Sequence, residues 1–288
     1  MIPKARQANK PASVVRMALR SRRTQVGLLL SGLVVLISAF GPLFSPHDPQ
    51  EFVTLPFAKS GDGFSFGGDN LGRDVMSQFL NGGWRLLMLS AIATILGVGM
   101  GAFLGIVAGY NRGRLDEFIM RSGDVALAFP QLLLALLFIS VTGPNLFVVV
   151  LLVAIGHAPR VARVMRGATL AVAERDFVAS AGALGMPSHR IVLQEILPNV
   201  SGPLAVEAGL RLTYSIGVIA GLSFLGLGVQ PPTPDWGLMI NENRIALTIQ
   251  PWPVLLPVLA IALVTIGMNL ISDGLARANA GVDRGLEG

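Results

Sequence analysis

Side chains able to do chemistry are few in this chain of 288 residues, and their spacing excludes more than it allows. There is no cysteine, which removes disulfides, thiolate metal sites and thiol nucleophiles. The three histidines, His47, His157 and His189, show no metal-ligand spacing, and no metal site is assigned. No H-E-x-x-H or G-x-x-x-x-G-K-[ST] occurs, so neither a catalytic residue nor a nucleotide-phosphate loop is assigned. What remains is a small set of ionisable residues in apolar surroundings: Asp124, Glu207 and Arg211. Charges inside apolar segments are costly and default to functional candidates. Glu207 and Arg211 are four residues apart and can pair along one helix face. They are either a mutually satisfied pair buried between helices or part of a polar pathway. Asp124 has Arg121 three residues before it, and a local pair is expected there.

The elements that must position these groups are long apolar helices. Hydrophobic residues make up 52% of the chain and charged ones 14%, with a mean hydropathy of +0.64. A soluble domain carries about 25% charged residues, so the balance is that of a polytopic membrane protein. The net charge of +5 is not accompanied by any nucleic-acid recognition motif. Basic residues beside apolar spans serve as topology signals, and nucleic acid is not an expected partner.

A crossing needs about 20 mostly apolar residues. Segments 26–44, 86–110, 201–222 and 252–271 qualify, and the first is longer than a signal-peptide core, which reads as an uncleaved anchor, with a cleaved signal as the lesser alternative. Segment 125–159 is free of charge but broken by "TGPN" at 142–145, leaving one long crossing or a hairpin of two. Arginine and lysine decide between them. With two crossings, 17 basic residues fall on the cytoplasmic side and 4 outside; with one, the tally is 11 against 10. Positive charge concentrates in short cytoplasmic loops, so the expected fold is an all-α membrane protein with six transmembrane helices and both termini cytoplasmic. The resulting organisation is a basic tail (1–25), an anchor helix (26–44), an external loop (45–85), a core (86–272) with a cytoplasmic loop at 160–200, and a C-terminal tail (273–288). The helix after "TGPN" is short for a span and must run on through "PRVARVMR".

Gly97, Gly101, Gly105 and Gly109 form a side-chain-free face that admits a close helix neighbour, either within the chain or at a seam against a second subunit. The cytoplasmic stretch "ERDFVASAGALGMPSHRIVLQEILPN" reads as helix, turn, helix. Phe177, Ala181 and Leu184 form an apolar stripe, Gly185 suits a left-handed C-terminal position, Pro187 prevents continuation, and Ser188 can cap the next helix. So short a helix is marginal alone and needs partners.

"FVASAGALGMPSHRIVLQEILPN" resembles the coupling loop of permease subunits of ATP-binding cassette importers, with Gly185 and the closing Ile196, Leu197 and Pro198 in place. Ala179 and Ser180 stand where that pattern has Glu and its first Ala, and Glu195 where close relatives often have His. "FGGDNLGRDVMSQFLNGGWRLLM", "LSFLGLGVQPPTPDWGLMI" and the start "ALRSRRTQVGLLL" with "GPLFSPHDP" are similar to the second membrane subunit of the dipeptide and oligopeptide permease family. The likeness covers nearly the whole chain. It implies a type I importer permease core of five helices plus the anchor helix, in a bacterial inner membrane. It also implies a heterodimer with a second permease subunit, an extracytoplasmic solute-binding protein, and two ATPase subunits that hold the ATP and magnesium, with no cofactor in this chain. The ATPase-docking residues it implies are Phe177, Val178, Ala179, Ser180, Ala181, Gly182, Leu184, Gly185 and Pro187. On the outer side, Pro231, Pro232 and Pro234 stiffen a loop, Trp236 and Trp252 suit the membrane interface, and Asp69 and Asp74 lie near Arg73 for pairing or capping. The rival class is a secondary transporter or channel that works without ATP.

Overall fold

The computed structural model describes residues 16–61 and 63–284, with side chains described up to residue 279. Lys4, Arg6 and Lys10 of the basic tail and the last residues of the C-terminal tail, 285–288, lie outside the described residues.

The main helices are α1 (Arg22–Phe40, prolonged by a 3-10 turn at Gly41–Phe44), α2 (Val75–Asn111), α3 (Gly113–Leu127), α4 (Gln131–Thr142) and α5 (Leu146–Ala173). They are followed by α6 (Asp176–Ala183), α7 (Ser201–Phe224), α8 (Trp236–Asn243) and α9 (Trp252–Arg284). Five of these are long and apolar enough to cross a membrane, and the pair α3 and α4, bent by 76°, supplies a sixth span. Pro130 sits at that bend; its missing N–H and its steric demand on the preceding residue stop α3 from continuing. "TGPN" is a turn: Gly143 has φ +80° and the Asn145 side chain accepts the Phe147 N–H at 2.9 Å, capping α5.

The glycine face decides how the spans run. A Cβ on Gly97 would meet Ala154 and His157, one on Gly101 would meet Ala158 and Val161, one on Gly105 Ala162 and Met165, and one on Gly109 Arg166 and Thr169. Both series rise together, so α2 and α5 are parallel neighbours, and the bent pair between them crosses once. Helices α1 and α9 are antiparallel, with Thr24 beside Gly274 and Ser31 beside Gly267. The start of α1 and the end of α9 therefore share one end of the bundle. The seam is tight enough to test. A methyl on Gly101 would lie 2.5 Å from Val161 Cβ and 2.6 Å from the Ala158 carbonyl oxygen. Gly101→Ala is expected to destabilise the chain by about 1–3 kcal/mol, as overpacking does, read as a lower unfolding temperature in detergent.

At the opposite end, segments 45–74 and 225–251 close over the bundle. Helix α2 begins at Val75, well before the apolar run that starts near residue 86, because Asp74 caps it by accepting the Ser77 N–H at 3.0 Å. Polar Gln78, Asn81 and Arg85 conceal this first part of the helix from hydropathy. Trp236 is fully buried, stacked on Phe79 with centroids 5.5 Å apart, and its Nε1–H donates to the Phe79 carbonyl at 2.9 Å. It anchors the cap to the core, contrary to the interfacial position expected for it. The Pro231–Pro232 bond is cis.

Three polar ties hold the cap together. Arg73 Nε donates to Asp69 Oδ2 at 2.6 Å and its Nη2 to Glu242 Oε2 at 2.7 Å. The Asn70 N–H donates to Asn243 Oδ1 at 2.9 Å. Gln250 Nε2 donates to the carbonyls of Ala58 at 2.7 Å and Phe66 at 3.0 Å.

Candidate functional site

The first candidate lies inside the bundle. Arg211 Nε donates to Glu207 Oε2 at 3.1 Å, and both residues are buried. The guanidinium carbon stands 5.2 Å from the centre of the Tyr214 ring, which supplies a cation–π contact. One turn further along the same face is Ser215, fully buried, and here the structure adds residues that sequence reasoning missed. Ser215 Oγ lies 2.9 Å from His157 Nε2 on α5 and 2.9 Å from Thr94 Oγ1 on α2. Thr94 Oγ1 also donates to the Ser90 carbonyl at 2.7 Å. Each hydroxyl has one proton, so Ser215 donates to Thr94 and accepts from His157 Nε2–H, which leaves Nδ1 bare. That Nδ1 is buried without a partner. The arrangement is a polar column through three helices: Glu207 and Arg211 at one end, then Ser215, with His157 and Thr94 beside it. The available signal was the i, i+4, i+8 spacing of Glu207, Arg211 and Ser215.

Asp124 does not join this column. Its partner is Arg163 on α5, whose Nη2 donates to Asp124 Oδ1 at 2.5 Å, while Arg121 pairs with Glu117 instead. A second tie between the same helices runs from Arg166 to Asp116, at 2.5 and 2.6 Å. Together they fix α3 against α5.

The second candidate is the helix, turn, helix at the end of the bundle shared by the start of α1 and the end of α9. Val178 and Ala181 of α6 are buried in a cluster with Val172, Ile191, Ile196 and Val200. Phe177, Ala179, Ser180, Gly182, Leu184, Gly185 and Pro187 are exposed, Leu184 at 88%. The inward stripe is therefore Val178 with Ala181, and the residues expected beside Ala181, Phe177 and Leu184, turn outward. Gly185 has φ +80°, the left-handed conformation that its position after α6 requires. Ser188 opens the next helix without a side-chain cap, and residues Ile191–Ile196 form a wider π turn. What the arrangement offers is a short, rigidly seated helix with small and apolar side chains free on one side.

At the cap, Asp235 Oδ1 accepts the Leu238 N–H at 3.1 Å, while Oδ2 is buried without a partner. Burial pushes its carboxyl up to about 6, against the opposing pull of the Leu238 N–H and the charge of Arg85. A raised carboxyl means the folded state holds the proton more firmly. The associated stability is complete below the ordinary value of 3.8 and lost as pH rises through about 6. Asp235→Asn keeps the capping oxygen and is expected to flatten this pH dependence, measured as unfolding temperature from pH 4 to 8.

Residues 101–280 match the family model described as binding-protein-dependent transport system inner membrane component. The chain is 37% identical over 259 residues to the di/tripeptide transport system permease protein DppC of Pseudomonas aeruginosa (strain UCBPP-PA14), covering 88% of this chain and 86% of that one. It is 37% identical over 261 residues to the glutathione transport system permease protein GsiD of Escherichia coli O6:K15:H31 (strain 536 / UPEC), covering 90% and 86%. A dipeptide transport system permease protein DppC of Alkalihalophilus pseudofirmus (strain ATCC BAA-2126 / JCM 17055 / OF4) is 35% identical over 258 residues, covering 88% and 84%. A six-span helical bundle, an exposed seated helix at one end and likeness along nearly the whole chain converge: the protein belongs to the binding-protein-dependent transport system inner membrane components, as a permease subunit of an ATP-binding cassette importer.

Proposed function

We propose that this chain forms half of a translocation path for short peptides, paired with a second permease subunit, fed by an external binding protein and driven by two ATPase subunits. ATP hydrolysis belongs to those partners. The end of the bundle that carries α6 faces the cytoplasm together with both termini, and the cap of segments 45–74 and 225–251 faces outward. This orientation follows the excess of basic residues on one side.

The observation that carries the reading is α6 itself. Its buried side is fixed by Val178 and Ala181, and its free side presents Phe177, Ala179, Ser180, Gly182 and Leu184 with no covering segment among the described residues. An apolar helix face that cannot be buried by its own chain suits a groove on a partner. Movement of the ATPases then acts through α6 on α5 and α7, and shifts the populations of membrane states to the extent that its contacts differ between them. Short peptides are the proposed solute because the relatives are named for di- and tripeptides, dipeptides and glutathione.

The test is uptake by proteoliposomes holding the complete complex. Labelled di- or tripeptide is expected to accumulate only with ATP and the cognate binding protein. ATP-dependent uptake of a different solute with none of peptide would overturn the solute assignment.

A further inference from the structure

A groove of about 310 Å³ opens on the outside of the bundle between α2, α3 and α5. Met100 and Leu104 of α2, Phe118 and Gly123 of α3, and Ile155 and Pro159 of α5 line it. The volume is that of roughly ten waters at about 30 Å³ each, yet the lining is apolar, so water has no partners there. It lies in the apolar stretch of α2 and α5, both long and apolar enough to cross a membrane. At its rim stands Arg163, paired with Asp124.

This rim pair has unused capacity. A guanidinium carries five N–H donors, and among the described residues Arg163 spends only Nη2 on protein. Asp124 accepts through Oδ1, and its Oδ2 has no protein donor among the described residues. Both side chains are more than half exposed, at 58% and 63%. An unused cationic donor and an unused anionic acceptor side by side complement a headgroup carrying a phosphate next to a primary amine. The first charges on α5 after its apolar run are Arg160 and Arg163, the depth at which a headgroup meets the hydrocarbon. We propose that the groove is a phospholipid site, in which one acyl chain lies along Met100, Phe118 and Pro159 while a phosphoethanolamine headgroup rests on Arg163 and Asp124. The site wedges α3 against α5, and it is independent of which solute the importer carries.

Phe118→Trp places an indole in the groove at a side chain that is 71% exposed. Ile95→Trp, at 70% exposure on α2, is the lipid-facing control. Each complete complex is reconstituted with dibrominated phosphatidylethanolamine or dibrominated phosphatidylcholine in an unbrominated background, and the quenching of the wild-type complex is subtracted. At Phe118→Trp, half-quenching is expected at an about two- to fivefold lower mole fraction of the ethanolamine lipid, with no such preference at the control. Asp124→Asn with Arg163→Gln is expected to erase the preference and leave the quenching. Two results overturn the proposal: the same lipid dependence at both positions, or no quenching at Phe118→Trp while the control is quenched, which would mean that a protein partner covers the groove.

Discussion

Arg73→Ala is expected to lower the stability of the chain by about 3–5 kcal/mol, the cost of leaving a buried charge without its partner. The arginine is 5% exposed and Asp69 1%, and Glu242 reaches the same guanidinium from α8. Asp69 cannot leave with it, because its Oδ1 accepts the backbone N–H groups of Leu71 and Arg73, both at 2.9 Å. The alanine therefore strands a carboxylate inside the cap and removes the side chain that binds segment 45–74 to α8. The loss is to be read as a lower unfolding temperature and as new protease cleavage within 45–74. A variant with unchanged unfolding and an intact segment would show that the cap is held elsewhere, by Gln250 and Trp236.

The second large effect is on transport. Leu184→Asp combined with Phe177→Asp places two charges on the free face of α6, where the proposed ATPase groove would have to bury them. A buried unpaired charge costs about 3–5 kcal/mol, so docking is expected to weaken by at least about a hundredfold and ATP-coupled uptake to disappear. Leu184 is 88% exposed and Phe177 38%, so the chain's own stability is expected to fall by only about 1–2 kcal/mol, the part of the Phe177 burial that is lost. Val178→Asp separates the two roles of the helix: Val178 is buried against the chain, and this change is expected to unfold the loop itself. Full uptake by the Leu184 and Phe177 variant would remove α6 from the coupling mechanism.

What could be read from residues alone depended on how local the deciding interaction was. The six spans were legible because charge counts over whole segments separate 17 from 4, and because "TGPN" holds a glycine and an N-cap asparagine within four residues. The Glu207 and Arg211 pair was legible because its partners are one turn apart. Asp124 was assigned to Arg121 by the same local logic, but a residue on a neighbouring helix, Arg163, competes for it and wins. His157 carried no signal at all: its partner Ser215 is 58 residues away, and only the packing of α2, α5 and α7 brings them together. Trp236 shows the same limit, since an interfacial preference says nothing of a stacking partner 157 residues earlier in the chain. For α6, periodicity put Phe177, Ala181 and Leu184 on one stripe, of which only Ala181 is buried. The direction of the rest of the stripe was set by the seat that Ile191, Ile196 and Val200 provide, and that seat is tertiary.

The most direct test of the account is to purify the tagged chain from its native membrane in mild detergent, identify what accompanies it, and assay the eluate for vanadate-sensitive ATP hydrolysis. The account expects a second permease subunit and ATPase subunits in the eluate, with hydrolysis that is lost when Phe177 and Leu184 are replaced by aspartate. Recovery of the chain alone, moving solute in liposomes without ATP, would contradict it.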